Sequence, residues 1–187
     1  LVTVLRGYPV GAFMALDTRN EAMRFRPRAL AGAPDTGVNP GLLLLDGQQR
    51  LTTLYHCFRG DGYVDTTDFR SKKISRKYYV DLRKAASEDI MPDEAVFAVN
   101  QHGDLRSHFA PDIEGAITSR ETAVNECCIP VSALLSEEGT SMLFELAAAN
   151  DGAYRDAVAA FNNRILRPLS GYTVPMIRLS RETARSG

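Results

Sequence analysis

Apolar positions recur along this chain with two different periods, and the sharpest change from one to the other falls within residues 42–58. Residues 42–45 are leucine at every position, the pattern of a short inner strand buried on both faces. Asp46-Gly47 then makes a turn. Beyond it Leu51, Leu54, Tyr55 and Phe58 recur at i, i+3, i+4 and i+7, which predicts a helix with one buried face ending near Gly60. This strand, tight turn and helix unit is the best-defined part of the pattern.

The flanking segments are read in the same way. Residues 1–6 look like the end of an element, and Gly7-Tyr8-Pro9-Val10-Gly11 is a turn by its Gly and Pro content. A strand is expected over 12–16. A second, over 23–30, has Met23 and Phe25 on one side and Arg24, Arg26 and Arg28 on the other, with Pro27 placing it at a sheet edge. Residues 31–41 carry the Gly, Pro, Asp and Asn of a loop. Strands are expected over 78–82, 95–99 and 173–179, a strand turning into a helix over 128–135, and helices over 141–149 and 153–167, the last stopped by Pro168. Residues 100–126 are polar and show no period. This sum is an α/β (α+β) chain with a mixed sheet and flanking helices, and at 187 residues with 44% apolar content it is expected to form a single domain, 1–187.

Charge changes the picture little. The net charge is −1 and charged residues make up 24%, so no global basic field advertises nucleic acid, and any such contact has to come from local patches. Two patches qualify. Arg70-Ser71-Lys72-Lys73-Ile74-Ser75-Arg76-Lys77-Tyr78-Tyr79 packs five cations and two tyrosines into ten residues, which suits backbone phosphates as well as it suits a solvated loop. The Arg24, Arg26 and Arg28 face is the other.

Three cysteines, two of them adjacent at Cys127 and Cys128, do not form a disulfide framework, so core packing and a reducing cytoplasm are expected. Apolar runs fall far short of the roughly 18 residues that span a bilayer. Leu1 at the start, and Arg185-Ser186-Gly187 just after a strand-like run, lead us to expect a piece of a longer protein.

The candidate chemistry sits at the strand-to-helix junction, and it has two readings. Asp46, three residues before Gln49 at a helix start, forms a variant capping box in which the Asp46 carboxylate accepts from the Gln49 backbone N–H. That explains Asp46, Gly47 and Gln49 without function. Arg50 does not fit it, because a cation in the first turn opposes the positive end of the helix dipole at a cost of roughly a few tenths of a kcal/mol. A bound anion would reverse that sign. The N–H groups of Gly47, Gln48 and Gln49, the close approach a glycine allows, and a guanidinium suited to phosphate oxygens together make a phosphate cradle. Asp46 would then orient a water or hold Mg²⁺.

The string Leu44-Leu45-Asp46-Gly47-Gln48-Gln49-Arg50-Leu51-Thr52-Thr53-Leu54 closely resembles the signature of the N-terminal domain of GmrSD-type restriction proteins, a domain grouped with ParB and sulfiredoxin. Residues 6–11 resemble the family's element upstream of that signature. Asn163-Arg164-Ile165-Leu166 and Tyr172-Thr173-Val174-Pro175-Met176-Ile177-Arg178-Leu179 resemble its final helix and strand. The family's Phe-Glu-x-x-Asn-x-x-Gly segment would follow beyond Gly187.

The resemblance implies a ParB/sulfiredoxin-like fold whose strand–turn–helix loop holds the phosphates of GTP or another nucleoside triphosphate. It implies hydrolysis of that nucleotide, with Mg²⁺ as an expected companion, in a phage-defence protein that attacks double-stranded DNA bearing modified bases or a phosphorothioate backbone. Carried over by position, Asp46, Gln48, Gln49 and Arg50 form the catalytic set, and Gly47, Gln48, Arg50 and Thr53 the nucleotide contacts. DNA contacts are expected from Arg24, Arg26, Arg28, Lys72, Lys73, Arg76 and Lys77. A ParB-like module that binds nucleotide without turnover is the alternative.

A sulfiredoxin-like reductase would need a cysteine in the phosphate loop, and Gln48 and Gln49 stand there instead. His56, His102 and His108 lack convincing metal-ligand spacing. A histidine-rich nuclease motif is missing from the chain, which places DNA cleavage in a nuclease domain elsewhere in the same or a partner protein.

Overall fold

The computed structural model describes residues 1–19, 27–67, 70–106 and 112–180. In chain order these form α1 (Val2–Leu5), β1 (Phe13–Asp17), β2 (Leu42–Asp46), α2 (Gln48–Phe58), β3 (Tyr63–Thr67), β4 (Lys73–Asp81), α3 (Leu82–Ala85), β5 (Val96–Val99), α4 (Arg120–Asn125), β6 (Cys128–Pro130), α5 (Glu137–Ala148), α6 (Arg155–Phe161), α7 (Arg167–Ser170) and β7 (Met176–Leu179). The α+β class expected from the sequence is the class observed. The chain divides into two compact units, one made of Leu1–Tyr8 with His56–Tyr172, the other of Pro9–Tyr55 with the segment from Thr173 on.

The first unit is built around β4. Its first half pairs with β3, from Thr67↔Lys73 to Tyr63↔Lys77, and its second half pairs with β6 along the same edge. The other edge carries β5, from Lys77↔Val99 to Val80↔Val96, and all these pairings are antiparallel. Val80, Phe97, Ile129, Val131, Leu146 and Phe161 are all at most 2% exposed and form the core, where Tyr79 stacks on Phe97 with ring centroids 5.8 Å apart. Asp81 ends β4 and starts α3 by accepting from the backbone N–H groups of Arg83 and Lys84, so one carboxylate both terminates a strand and caps a helix. Ser119 and Thr122 make a reciprocal capping box for α4, and Ser136 caps α5.

Pro168 does not stop the last helix. Residues 162–166 form a π-helical turn between α6 and α7, which shifts the hydrogen-bond register just before the proline. Pro168 then falls in the first turn of α7, where a missing N–H costs nothing.

The second unit holds a mixed three-stranded sheet in the order β2-β1-β7. β1 runs antiparallel to β2 and parallel to β7, which comes from the far end of the chain. The all-leucine run is therefore an edge strand and not an inner one, and Leu42 and Leu45 are 39% and 49% exposed. The face of α2 is likewise half-buried rather than buried, with Cys57 its one buried residue. Residues 27–30 are not a strand, and the rest of the expected strand over 23–30 lies outside the described residues.

Candidate phosphate site at a strand-to-helix junction

The register of β1 against β2 shifts at one place. Ala15 pairs with Leu44 and Met14 with Asp46, so Leu45 is an extra residue on β2 immediately before the junction. A bulge there bends the strand and re-aims the side chain that follows. Asp46 is accordingly turned outward, with its side chain 68% exposed. Gly47 comes next at φ +89°, a backbone conformation that disfavours any side chain, and a Cβ at this position would collide with the Phe13 ring. The turn therefore packs directly on β1.

Arg50 folds back over this turn. Its Nη1 donates to the Val10 carbonyl at 2.8 Å, and its Nη2 donates to the Ala12 carbonyl at 3.3 Å and to Asp46 Oδ2 at 3.0 Å. The guanidinium carbon lies 5.2 Å from the centre of the Phe13 ring. A Cβ on Gly11, whose φ is +87°, would come within 2.6 Å of Arg50 Nη1. Val10, Gly11 and Ala12 and the Asp-Gly-Gln-Gln-Arg junction are thus one constellation, joined by a guanidinium that fits only because Gly11 and Gly47 have no side chains.

This geometry changes two sequence expectations. The Asp46 carboxylate is not the acceptor of the Gln49 N–H; it pairs with Arg50, one helical turn on. Arg50, whose place at the positive end of α2 called for an anion, already has two backbone carbonyls and a carboxylate, so its presence no longer requires a bound ligand. Three of the guanidinium's five N–H groups are engaged in these contacts, and two are left over.

The other expected contacts divide. Gln48 and Gln49 are exposed at the start of α2, where first-turn N–H groups have no acceptor within the helix, and the Gln48 side chain donates to the Leu44 carbonyl at 3.0 Å. Thr53 is exposed one turn further along. Among the described residues no three His, Cys, Asp or Glu side chains cluster as a metal site. Cys57, Cys127 and Cys128 are buried free thiols, as core packing requires.

The basic candidates lie apart from this junction in the chain. Lys72, Lys73 and Arg76 line a cleft in the first unit, while Lys77 sits 5.7 Å from the centre of the Tyr63 ring. Arg28 is exposed, and Arg24 and Arg26 lie outside the described residues. Sequence reasoning missed the carbonyls of Val10 and Ala12, to which the two flanking glycines were the available clue. It also missed Arg106 in the cleft, signalled by the turn-forming residues from Asn100 to Asp104.

Residues 1–178 match the family described as the GmrSD restriction endonuclease N-terminal domain. The chain belongs to this family. The match spans both compact units, so the GmrSD N-terminal domain includes the three-stranded sheet of the second unit as well as the β4-centred sheet and helices of the first. An uncharacterized protein of Methanocaldococcus jannaschii is 28% identical over 106 residues, covering 53% of this chain. The chain spans 17% of the length of that relative. No solved structure matches the chain. Among the described residues, no helix is long and apolar enough to cross a membrane.

Proposed function

We propose that this chain is the nucleotide-binding and nucleotide-hydrolysing sensor domain of a restriction protein that acts on modified double-stranded DNA, with the nuclease located elsewhere in that protein or in a partner. Membership of the GmrSD N-terminal family supports the restriction role. The observation that carries the nucleotide reading is the junction itself: exposed Gln48 and Gln49 open an eleven-residue helix beside an arginine held rigidly with two N–H groups in reserve.

The chemistry follows from those positions. Backbone N–H groups of Gln48 and Gln49 receive phosphate oxygens at the positive end of α2. Arg50 adds its remaining donors without having to be ordered first, because Val10 and Ala12 fix it in advance, and such preorganisation is what favours charge developing in a transition state. The exposed second oxygen of Asp46 positions the attacking water. A single carboxylate also suits Mg²⁺, which keeps most of its waters and is completed by nucleotide phosphates, so the residues fit that ion. When bound, Mg²⁺ would supply charge neutralisation of the phosphates.

One observation favours the second reading, a ParB-like module that binds nucleotide without turnover. Asp46 is already committed to Arg50 at 3.0 Å, and among the described residues no group of three or more His, Cys, Asp or Glu side chains forms that could hold a metal ion. Nucleotide affinity and phosphate release, measured with and without modified DNA for wild type and Asp46→Asn, separate the two. Turnover that disappears in Asp46→Asn while binding persists supports hydrolysis. Binding with no phosphate release from wild type supports the gated module, and absence of binding ends both.

A further inference from the structure

The pairing of β4 with β5 stops at Lys77↔Val99, so residues 73–76 of β4 run on beyond the end of β5. Past Val99 the chain turns back sharply. Asn100 builds this turn: its side-chain oxygen accepts from the backbone N–H groups of His102 at 2.8 Å and Asp104 at 3.0 Å, and its amide donates to Asp104 Oδ2 at 2.9 Å. A bridge between Val99 and Leu105 and a bond from the Arg106 N–H to the Ala98 carbonyl, 2.7 Å, return the chain beside β5. The extended end of the β3–β4 hairpin and this turn enclose a cleft of about 780 Å³.

The lining of the cleft is chemically one-sided. Among the described residues that line it, Lys72, Lys73, Arg76 and Arg106 supply four cations against one carboxylate, Asp65, in a chain whose net charge is −1. Thr66, Thr67, Ser75, Asn100, Gln101 and His102 supply further polar groups to its wall. Arg106 is shared with Asp104 at 3.3 Å, a half-exposed pair whose strength is small in water. A closed pocket for a small ligand would be expected to be more enclosed and apolar.

We propose that this cleft grips the phosphate backbone of the DNA on which the restriction protein acts, as a sequence-independent clamp separate in the chain from the nucleotide junction. The proposal rests on the reading of the chain as a DNA-acting domain. Backbone contacts of this kind fix the register of the protein on the duplex and carry no information about the modification, so recognition of the modified group lies with other residues.

The test measures affinity for a short duplex, modified and unmodified, as a function of salt, for wild type, Lys73→Ala, Arg76→Ala and the charge-matched control Arg59→Ala. Each lost phosphate contact lowers the salt slope by about one and weakens binding about five- to tenfold at 0.1 M salt. We expect that loss in Lys73→Ala and Arg76→Ala, equal for both duplexes, with Arg59→Ala unchanged and nucleoside triphosphate affinity unchanged in all. Wild-type DNA binding that neither cleft variant alters overturns the clamp and leaves the DNA-acting reading standing. A fall in nucleotide affinity in the cleft variants overturns it as well, by assigning the cleft to the nucleotide. If wild type binds neither duplex at low salt, the DNA-acting reading fails and the clamp with it.

Discussion

Replacing Gly11 by alanine should be far more costly than its chemistry suggests, and the excess should depend on Arg50. An alanine at positive φ carries a backbone penalty of about 1–2 kcal/mol wherever it sits. Gly37 measures that penalty alone, since its φ is +68° and nothing lies within 4 Å of the Cβ it would acquire. At Gly11 the new methyl would stand 2.6 Å from Arg50 Nη1 and push the guanidinium off the Val10 and Ala12 carbonyls. Two hydrogen bonds from a charged donor, one of them long, are together worth about 2 kcal/mol. The ion pair to Asp46 adds little, because that carboxylate is largely exposed. Gly11→Ala should therefore cost about 3–4 kcal/mol, Gly37→Ala about 1–2 kcal/mol, and Gly11→Ala in an Arg50→Ala background no more than Gly37→Ala. Urea unfolding of the four variants and wild type, followed by circular dichroism, gives the cycle. A cost for Gly11→Ala that is the same with and without Arg50 would refute the coupling of the two motifs.

Other consequences are independent of that cycle. Burial pushes the Cys57 thiol up to about 11 and Cys127 up to about 12, and raises Cys128 further still, so at pH 8 all three should resist a thiol reagent until the protein is unfolded. Rapid labelling of the native protein would contradict this. The side-chain and backbone hydrogen bonds of Arg19, and then the charge of Arg178, hold the Asp17 carboxyl well below the usual carboxylate range. A folded-state value below the unfolded one gives stability that is complete above about pH 4 and is lost as pH falls further, so Asp17→Asn should flatten the acid limb of a stability-versus-pH curve. Loss of the Ser119 cap in Ser119→Ala should lower stability by about 1 kcal/mol, measured in the same unfolding experiment.

Local grammar made the strand–turn–helix junction legible, because a leucine run, a glycine and a 3.6-residue period each carry their own signal. What the leucine run could not convey is which strand lies inside the sheet. The parallel partner of β1 is Met176–Leu179 from the distant end of the chain, and its arrival makes β1 the centre and leaves Leu42 and Leu45 half-exposed at the edge. The reach of a long side chain was equally hidden. A capping box places Asp46 against Gln49 by spacing alone, whereas the structure pairs it with Arg50 because the bulge at Leu45 turns the carboxylate outward. Pro168 carried the usual stop signal, and the π turn ahead of it cancelled that signal by moving it to a first-turn position. β3 escaped notice because Asp65 and two threonines interrupt its apolar pattern, and its pairing with β4 supplies what periodicity does not.

The nucleotide reading places phosphate on backbone N–H groups at the start of α2, and Gln48→Pro tests that placement. Gln48 is the first residue of the helix, a position where proline is well tolerated, so the substitution removes one N–H donor and the side-chain amide while preserving the helix. The direct measurement is calorimetric titration of a nucleoside triphosphate with Mg²⁺ into wild type and Gln48→Pro of equal thermal stability. Wild-type binding that weakens at least tenfold in Gln48→Pro is the expected result. Equal affinity in the two proteins, or no binding to wild type, would contradict a phosphate site at this junction.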